Sequence, residues 1–147
     1  NPKNIFKNIS SRKIEILLEI IFKSLKNKNH NLKFKDFIFL CYNPHCGEKN
    51  TLGLEDNKIK NLLKKKFKFI NGPYPGDSAF KKIKKETLFF STYHDQALIP
   101  FKIFNKKGVN ITLGLEYRRL SPAHGTAKDI RFKNLSDPTS YLRCMLI

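Results

Sequence analysis

Two short apolar runs, DFIFLCY at residues 36–42 and TLFFSTY at 87–93, constrain this chain more than any other feature. Both are continuous rather than alternating. A strand apolar at successive positions needs cover on both faces, which is the situation of a strand in a parallel sheet layered by helices. Turn-forming or polar residues follow each run, NPHCGEKNTLG (43–53) after the first and HDQ after the second. Upstream, Ile14, Leu17, Leu18, Ile21 and Leu25 recur on one helical face, and Ser11 can cap a helix running to about residue 28, where Asn and Lys end it. LEDNKIKNLLKKKF (54–67) predicts a short amphipathic helix. NGPYPGD (71–77), with two Pro and two Gly, reads as a loop. GVNITLGL (108–115) is a further predicted strand, SPAHGTAKDI (121–130) opens as a loop, and DPTSYLRCMLI (137–147) begins a helix. Strands alternating with helices predict an α/β architecture with a largely parallel sheet, in a single region of 147 residues.

The net charge of +17 raises nucleic acid or an anionic membrane as a partner. The lysines are spread along the chain, however, and Lys, Asn, Phe and Ile together suggest A/T-rich codon usage. NLLKKKFKF (61–69) and KKIKKE (81–86) look like solvated faces, and no RNA-module aromatic signature is present. Neither nucleic acid nor membrane is therefore the expected partner, and a phosphorylated small substrate suits the residual positive charge. The apolar runs are too short to span a bilayer. The N-terminal NPKNIFKNIS has no signal- or transit-peptide pattern. Three cysteines, 41, 46 and 144, have no metal or redox spacing and read as reduced thiols of a cytoplasmic protein.

In a doubly wound sheet, ligands bind beyond the carboxyl ends of the strands. His45 follows the first run, His94 the second, and His124 lies in the loop after 108–115; His30, in KNKNHN, reads as a solvated surface residue. Imidazoles beside carboxylates, as in NPHCGE and YHDQ, suit a divalent metal whose ligands are oriented by their neighbours. Two histidines are too few to close a site, so a further ligand is expected.

The blocks CYNPHCGE, NGPYPGDSAF, YHDQALIPFK, GVNITLGLEYRR and SPAHGTAKDI, in this order, resemble the C-terminal half of the 4-hydroxythreonine-4-phosphate dehydrogenases of pyridoxal 5′-phosphate synthesis. The resemblance implies an isocitrate/isopropylmalate dehydrogenase-like α/β/α sandwich, of which residues 1–147 are the C-terminal portion with the N-terminal half absent. It also implies NAD, a divalent metal (Zn, Co, Mg or Mn) and a homodimer with active sites at the subunit interface. Matched block by block, it makes His45 and His94 metal ligands and Lys102, Asn110 and Arg119 substrate-binding residues. Asp77 and Asp95, with Lys102, become catalytic residues lining the site. His124, Gly125 and Thr126 correspond to the adenine-side NAD loop of the wider β-decarboxylating dehydrogenases. The family's remaining metal histidine lies upstream of these blocks, so the chain is expected to form an incomplete site unless a separate chain supplies the rest.

The implied reaction is oxidation of the hydroxyl of 4-phosphohydroxy-L-threonine by NAD, followed by loss of CO2 to give 3-amino-2-oxopropyl phosphate. The residue types suit it: Arg119 offers a planar fork and Lys102 a point charge for phosphate and carboxylate. Cys46 reads as an inert thiol. Ala123 stands where an acidic residue often precedes the HGTA block. Three alternatives stay open: a dehydrogenase of a related 4-phosphorylated four-carbon acid such as threonate or erythronate, a non-catalytic or dimerising remnant, and a basic nucleic-acid-binding module.

Overall fold

The computed structural model describes residues 10–26, 33–105, 107–126 and 128–147. His30, residues 1–9 and the expected end of the first helix at 27–28 lie outside the described residues. Helix α1 runs Ser11–Lys26. Its cap is Ser10, not Ser11: the Ser10 hydroxyl accepts the amide of Lys13 at 3.2 Å. Ile14 and Leu18 are buried, as the periodicity predicted, but Leu17 is exposed.

Strand β1, Asp36–Leu40, is the middle of a three-stranded parallel sheet between β2, Asn71–Tyr74, and β3, Thr87–Phe90. Helix α2, Glu55–Lys66, connects β1 to β2 and buries Ile59, Leu62 and Leu63 on one face. Phe39 and Leu40 of β1 are 3 % and 0 % exposed, since helices cover one side of the sheet and strands flank both edges of β1. Phe22, Phe37, Phe67, Phe69 and Phe90 add an aromatic cluster with ring centroids 5.0–6.4 Å apart. Both predicted strands are shorter than their apolar runs: Cys41 still gives its amide to the Tyr74 carbonyl at 2.8 Å, and Tyr42 and Ser91–Tyr93 leave the ladder to form the loops beyond it.

The segment expected to be a loop at 71–77 is instead β2 followed by a short helix α3, Gly76–Ala79. Pro73 is tolerated because β2 is a sheet edge among the described residues, where one amide can be spared. The polar triplet at 94–96 opens helix α4, His94–Phe104, which the sequence hid because Pro100 lies inside it. The predicted strand at 108–115 does not join the parallel sheet. It forms β4, Val109–Thr112, and pairs antiparallel with β5, Arg119–Pro122, because the connection 113–118 is long enough for a hairpin but too short for a crossover. Helix α5, Thr139–Leu146, starts where expected. Ser140 ties it to the hairpin, its hydroxyl accepting the Ala123 amide at 3.0 Å and donating to the Gly108 carbonyl.

Six residues of α1, with Leu88–Phe90 of β3 and Ile111 and Leu113 of the hairpin, line an apolar groove of about 560 Å³. Among the described residues no helix is long and apolar enough to cross a membrane.

Candidate active site at the carboxyl ends of the strands

Beyond β1 the chain turns sharply, and the turn is built on Asp56. This carboxylate, in the first turn of α2 and 3 % exposed, accepts the amides of Tyr42 at 2.6 Å and Asn43 at 2.8 Å. The Asn43 side chain donates to Glu55 at 3.0 Å, which holds the Glu55 carboxyl below its usual range. Past this anchor, His45, Cys46, Gly47, Glu48, Lys49 and Asn50 all have positive φ, from 42° to 81°. A left-handed turn costs about 1–2 kcal/mol for each residue with a Cβ. Strain of this kind persists where the surroundings over-determine the backbone, and it gathers at functional sites.

The turn presents His45 with its Nδ1 3.3 Å from Glu48 Oε1. Past β3, His94 sits at the start of α4 with its Nδ1 2.8 Å from Asp95 Oδ1. A carboxylate only accepts, so Asp95 favours the His94 tautomer with its proton on Nδ1, while Glu48 lies within ion-pair distance of His45. Both imidazoles are well exposed. A cavity of about 520 Å³ between the strand ends is bordered by His45, Gly76, Asp77, Tyr93 and Gln96. A neighbouring one of about 300 Å³ is bordered by Tyr93 and His94. Asp77 and Asp95 together border a third, alongside Ile99, Ile103 and Phe104. The structure thus gathers His45, Asp77, His94 and Asp95 around the ends of β1, β2 and β3.

Burial, then the neighbouring Cys41 thiol, pushes the Cys46 thiol up to about 12, so it stays protonated at neutral pH, as an inert thiol would. Burial also raises the Tyr93 phenol, which stacks on Tyr42 with ring centroids 5.1 Å apart.

The remaining predicted residues collect on the hairpin. Asn110 pairs with Ser121 and Thr112 with Arg119, so the period-two alternation puts Asn110 and Arg119 on one face. Arg119 donates to the Thr112 hydroxyl at 2.9 Å. Lys102 reaches from α4 to the carbonyl of Ala123, at the base of the loop carrying His124, Gly125 and Thr126. That loop is exposed. His124 Nδ1 is 3.0 Å from the Gly125 carbonyl, and a Cβ added at Gly125 would meet nothing within 4 Å. The predicted residues therefore form two groups, metal-type donors at the strand ends and cations with the glycine loop on the hairpin. Among the described residues no cluster of three or more His, Cys, Asp or Glu side chains is placed to hold an ion. Asp56 and Gln96 were not anticipated. An acidic residue in a first helical turn was visible for Asp56, but its two partners lie on another element; Gln96 was visible as part of the HDQ triplet, but its partner Cys41 lies just past another strand.

Residues 2–147 match the family described as pyridoxal phosphate biosynthetic protein PdxA. The chain is similar to 4-hydroxythreonine-4-phosphate dehydrogenase of Hydrogenobaculum sp., 42 % identical over 127 residues, covering 82 % of this chain and 41 % of that protein. It is 36 % identical to the protein of that name from Sulfurihydrogenibium sp. over 148 residues, 97 % of this chain and 46 % of the relative. The crystal structure of a 4-hydroxythreonine-4-phosphate dehydrogenase from Burkholderia phymatum superposes with a TM-score of 0.68 at 26 % identity, over 99 % of this chain and 46 % of that one. The chain spans less than half the length of these relatives.

Proposed function

Because the chain belongs to the PdxA family of pyridoxal phosphate biosynthetic proteins, we propose that it is part of an NAD- and divalent-metal-dependent dehydrogenase. The reaction proposed is oxidation and decarboxylation of 4-phosphohydroxy-L-threonine in vitamin B6 synthesis. The observation that carries this reading is the pair of carboxylate–imidazole couples, Glu48–His45 and Asp95–His94, at the ends of adjacent parallel strands. Imidazoles beside carboxylates are suitable ligand types for a divalent cation, and since no cluster of three donors lies among the described residues the remaining ligands would come from elsewhere. An ion held there would supply Lewis-acid stabilisation of negative charge on the substrate oxygen, and the nicotinamide would accept the hydride.

The chain's own residues do the rest. Arg119 and Lys102 bind the phosphate and carboxylate, Asn110 orients the substrate from the same hairpin face, and Asp77 and Asp95 border the space where protons are exchanged. His124, Gly125 and Thr126 form the cofactor-side loop; its open surface over Gly125 suits close approach of a dinucleotide.

In this reading residues 1–147 are the C-terminal portion of an isocitrate/isopropylmalate dehydrogenase-like α/β/α sandwich, and the rest of the fold covers the apolar groove along α1 and β3. A homodimer with active sites at its interface is supported by Ile99, Ile103 and Phe104, 58–66 % exposed along α4 beside Asp77 and Asp95. The unpaired thiols suit the cytosol.

The test is NADH formation from 4-phosphohydroxy-L-threonine by the full-length polypeptide, with and without EDTA. Metal-dependent NADH that disappears in His94→Ala is expected. An intact full-length protein that turns over only a phosphorylated threonate or erythronate would replace the substrate; one that makes no NADH from any of these would overturn the reading.

A further inference from the structure

We propose that Gln96 is a positioning residue that fixes the His45 and His94 loops relative to one another. This rests on the reading of those two histidines as joint ligands of one cation. Gln96 is in the first turn of α4, two residues past His94. Its Nε2 donates to the Cys41 carbonyl at 2.9 Å, on the segment between β1 and the left-handed turn that carries His45. Its Oε1 lies 2.9 Å from the Ser91 hydroxyl, on the segment between β3 and His94. The Ser91 oxygen in turn accepts the Tyr93 amide at 3.2 Å. The third strand end also touches it: a Cβ added at Gly76, next to Asp77, would sit 3.3 Å from both Cγ and Nε2 of Gln96. One side chain therefore bonds the two segments leading to His45 and His94 and lies beside the loop that carries Asp77.

The chemistry requires an amide. Cys41 is buried and its carbonyl lies beyond the last ladder residue of β1, so it needs a donor. The Ser91 hydroxyl has two acceptors in reach, the Tyr93 carbonyl at 2.8 Å and Gln96 Oε1 at 2.9 Å, so its one proton closes the bridge in competition with its own loop. A group with both a donor and an acceptor, on a stem long enough to cross between the strand ends, can meet the Cys41 carbonyl and the Ser91 hydroxyl together. Glutamate has the same shape but, when ionised, has no proton for the Cys41 carbonyl and sets a charge against it. Two ligands on separate strands bind one ion tightly only if their separation is fixed beforehand, and this is what the Gln96 bridge supplies.

The experiment compares full-length wild type with Gln96→Glu and Gln96→Ala in two ways. The first needs no metal: hydrogen exchange resolved by peptide. Loss of the bridge is expected to speed exchange about fivefold or more in both 41–47 and 91–95 while α2 is unchanged. Faster exchange in only one of these segments, or in neither, overturns the proposal. The second uses Co2+ alone as the probe, followed through paramagnetic broadening of the His45 and His94 ring protons. Wild type is expected to show one shared midpoint, and Gln96→Glu two separate midpoints weakened about tenfold or more. Coincident, unweakened midpoints in Gln96→Glu overturn the proposal. If wild-type resonances ignore Co2+ while the exchange result holds, the shared-cation reading falls and the positioning role of Gln96 stands.

Discussion

The Asp56 carboxylate accepts the Tyr42 amide at 2.6 Å, joining the first turn of α2 to the exit of β1. Its second oxygen takes the Asn43 amide at 2.8 Å, so one buried carboxylate satisfies two donors that have left the sheet ladder. It also lies at the N-terminus of α2, where negative charge is favoured. Hydrogen bonds to a charged group are worth about 1.5–3 kcal/mol each, and a donor orphaned by burial costs a similar amount. Asp56→Ala is therefore expected to lower stability by about 3 kcal/mol in urea unfolding. Asp56→Asn should fall between the two, because its amide offers one acceptor and turns a donor toward a donor. An Asp56→Ala midpoint equal to wild type would mean that water replaces the carboxylate and that the turn is held elsewhere.

Two glycines make opposite predictions. Gly72 has φ +125°, and a Cβ there would lie 2.4 Å from the Phe39 carbonyl oxygen of β1, a backbone atom that cannot swing away. Gly72→Ala is expected to cost about 3 kcal/mol, through separation of β2 from β1. At Gly125 an added methyl meets nothing, so Gly125→Ala should stay within about 0.5 kcal/mol of wild type. If a dinucleotide closes on that loop, the same methyl stands in its path, and KM for NAD should rise about tenfold in the full-length enzyme with kcat little changed. Unchanged KM together with unchanged stability would remove Gly125 from the cofactor loop.

The elements that the sequence revealed are those whose signal is local. The helical periodicity around Ile14 and Leu18 and the apolar run Phe37–Leu40 each state their own cover, so α1 and β1 were legible. The edge strand β2 was not, because Pro and Gly in NGPY speak for a turn, and only its neighbour β1 makes it a strand. Helix α4 was masked by Pro100, whose missing amide a helix accommodates when packing on one side holds it. The histidines were singled out by their place after strands. The groups that fix them were not, since Asp56 lies 13 and 14 positions from its amide partners and Gln96 lies 55 from Cys41. Contacts of that range have no periodicity to betray them.

Acid stability should depend on Glu15. This carboxylate is 7 % exposed on α1, accepts a hydrogen bond from Lys66 at the end of α2 and pairs with Arg12 at 3.2 Å. The Lys66 bond is the main cause that holds its carboxyl below the usual range, opposed by burial. A depressed folded-state value means the contribution is complete above the ordinary Glu value of about 4.3 and is lost as pH falls through the lower folded value. Wild type is thus expected to exceed Glu15→Gln in stability from pH 7 down to about pH 4.5, with the two converging below that. Lys66→Met should remove most of the difference. A gap between wild type and Glu15→Gln that persists at pH 2.5 would show that packing, not charge, separates them.

The exposed apolar stripe on α4 gives the last prediction. Ile99 and Ile103, four residues apart, share a helical face, with Phe104 beside them, and the three are 58–66 % exposed. Three large apolar side chains in contact with water next to Asp77 and Asp95 are costly for a lone protomer and suit a subunit interface that closes over the site. Ile103 follows Lys102 and borders the same cavity as Asp77 and Asp95, so the dependence on protein concentration, not activity alone, separates association from the reaction. In the full-length protein, Ile103→Glu is expected to shift sedimentation from dimer to monomer at micromolar concentration, to leave far-ultraviolet circular dichroism unchanged, and to lower kcat/KM about tenfold or more. Restored activity at higher protein concentration would tie the loss to association. A variant that remains dimeric and fully active would place the interface on another face, and the stripe would then be cover for the part of the fold that lies outside this chain.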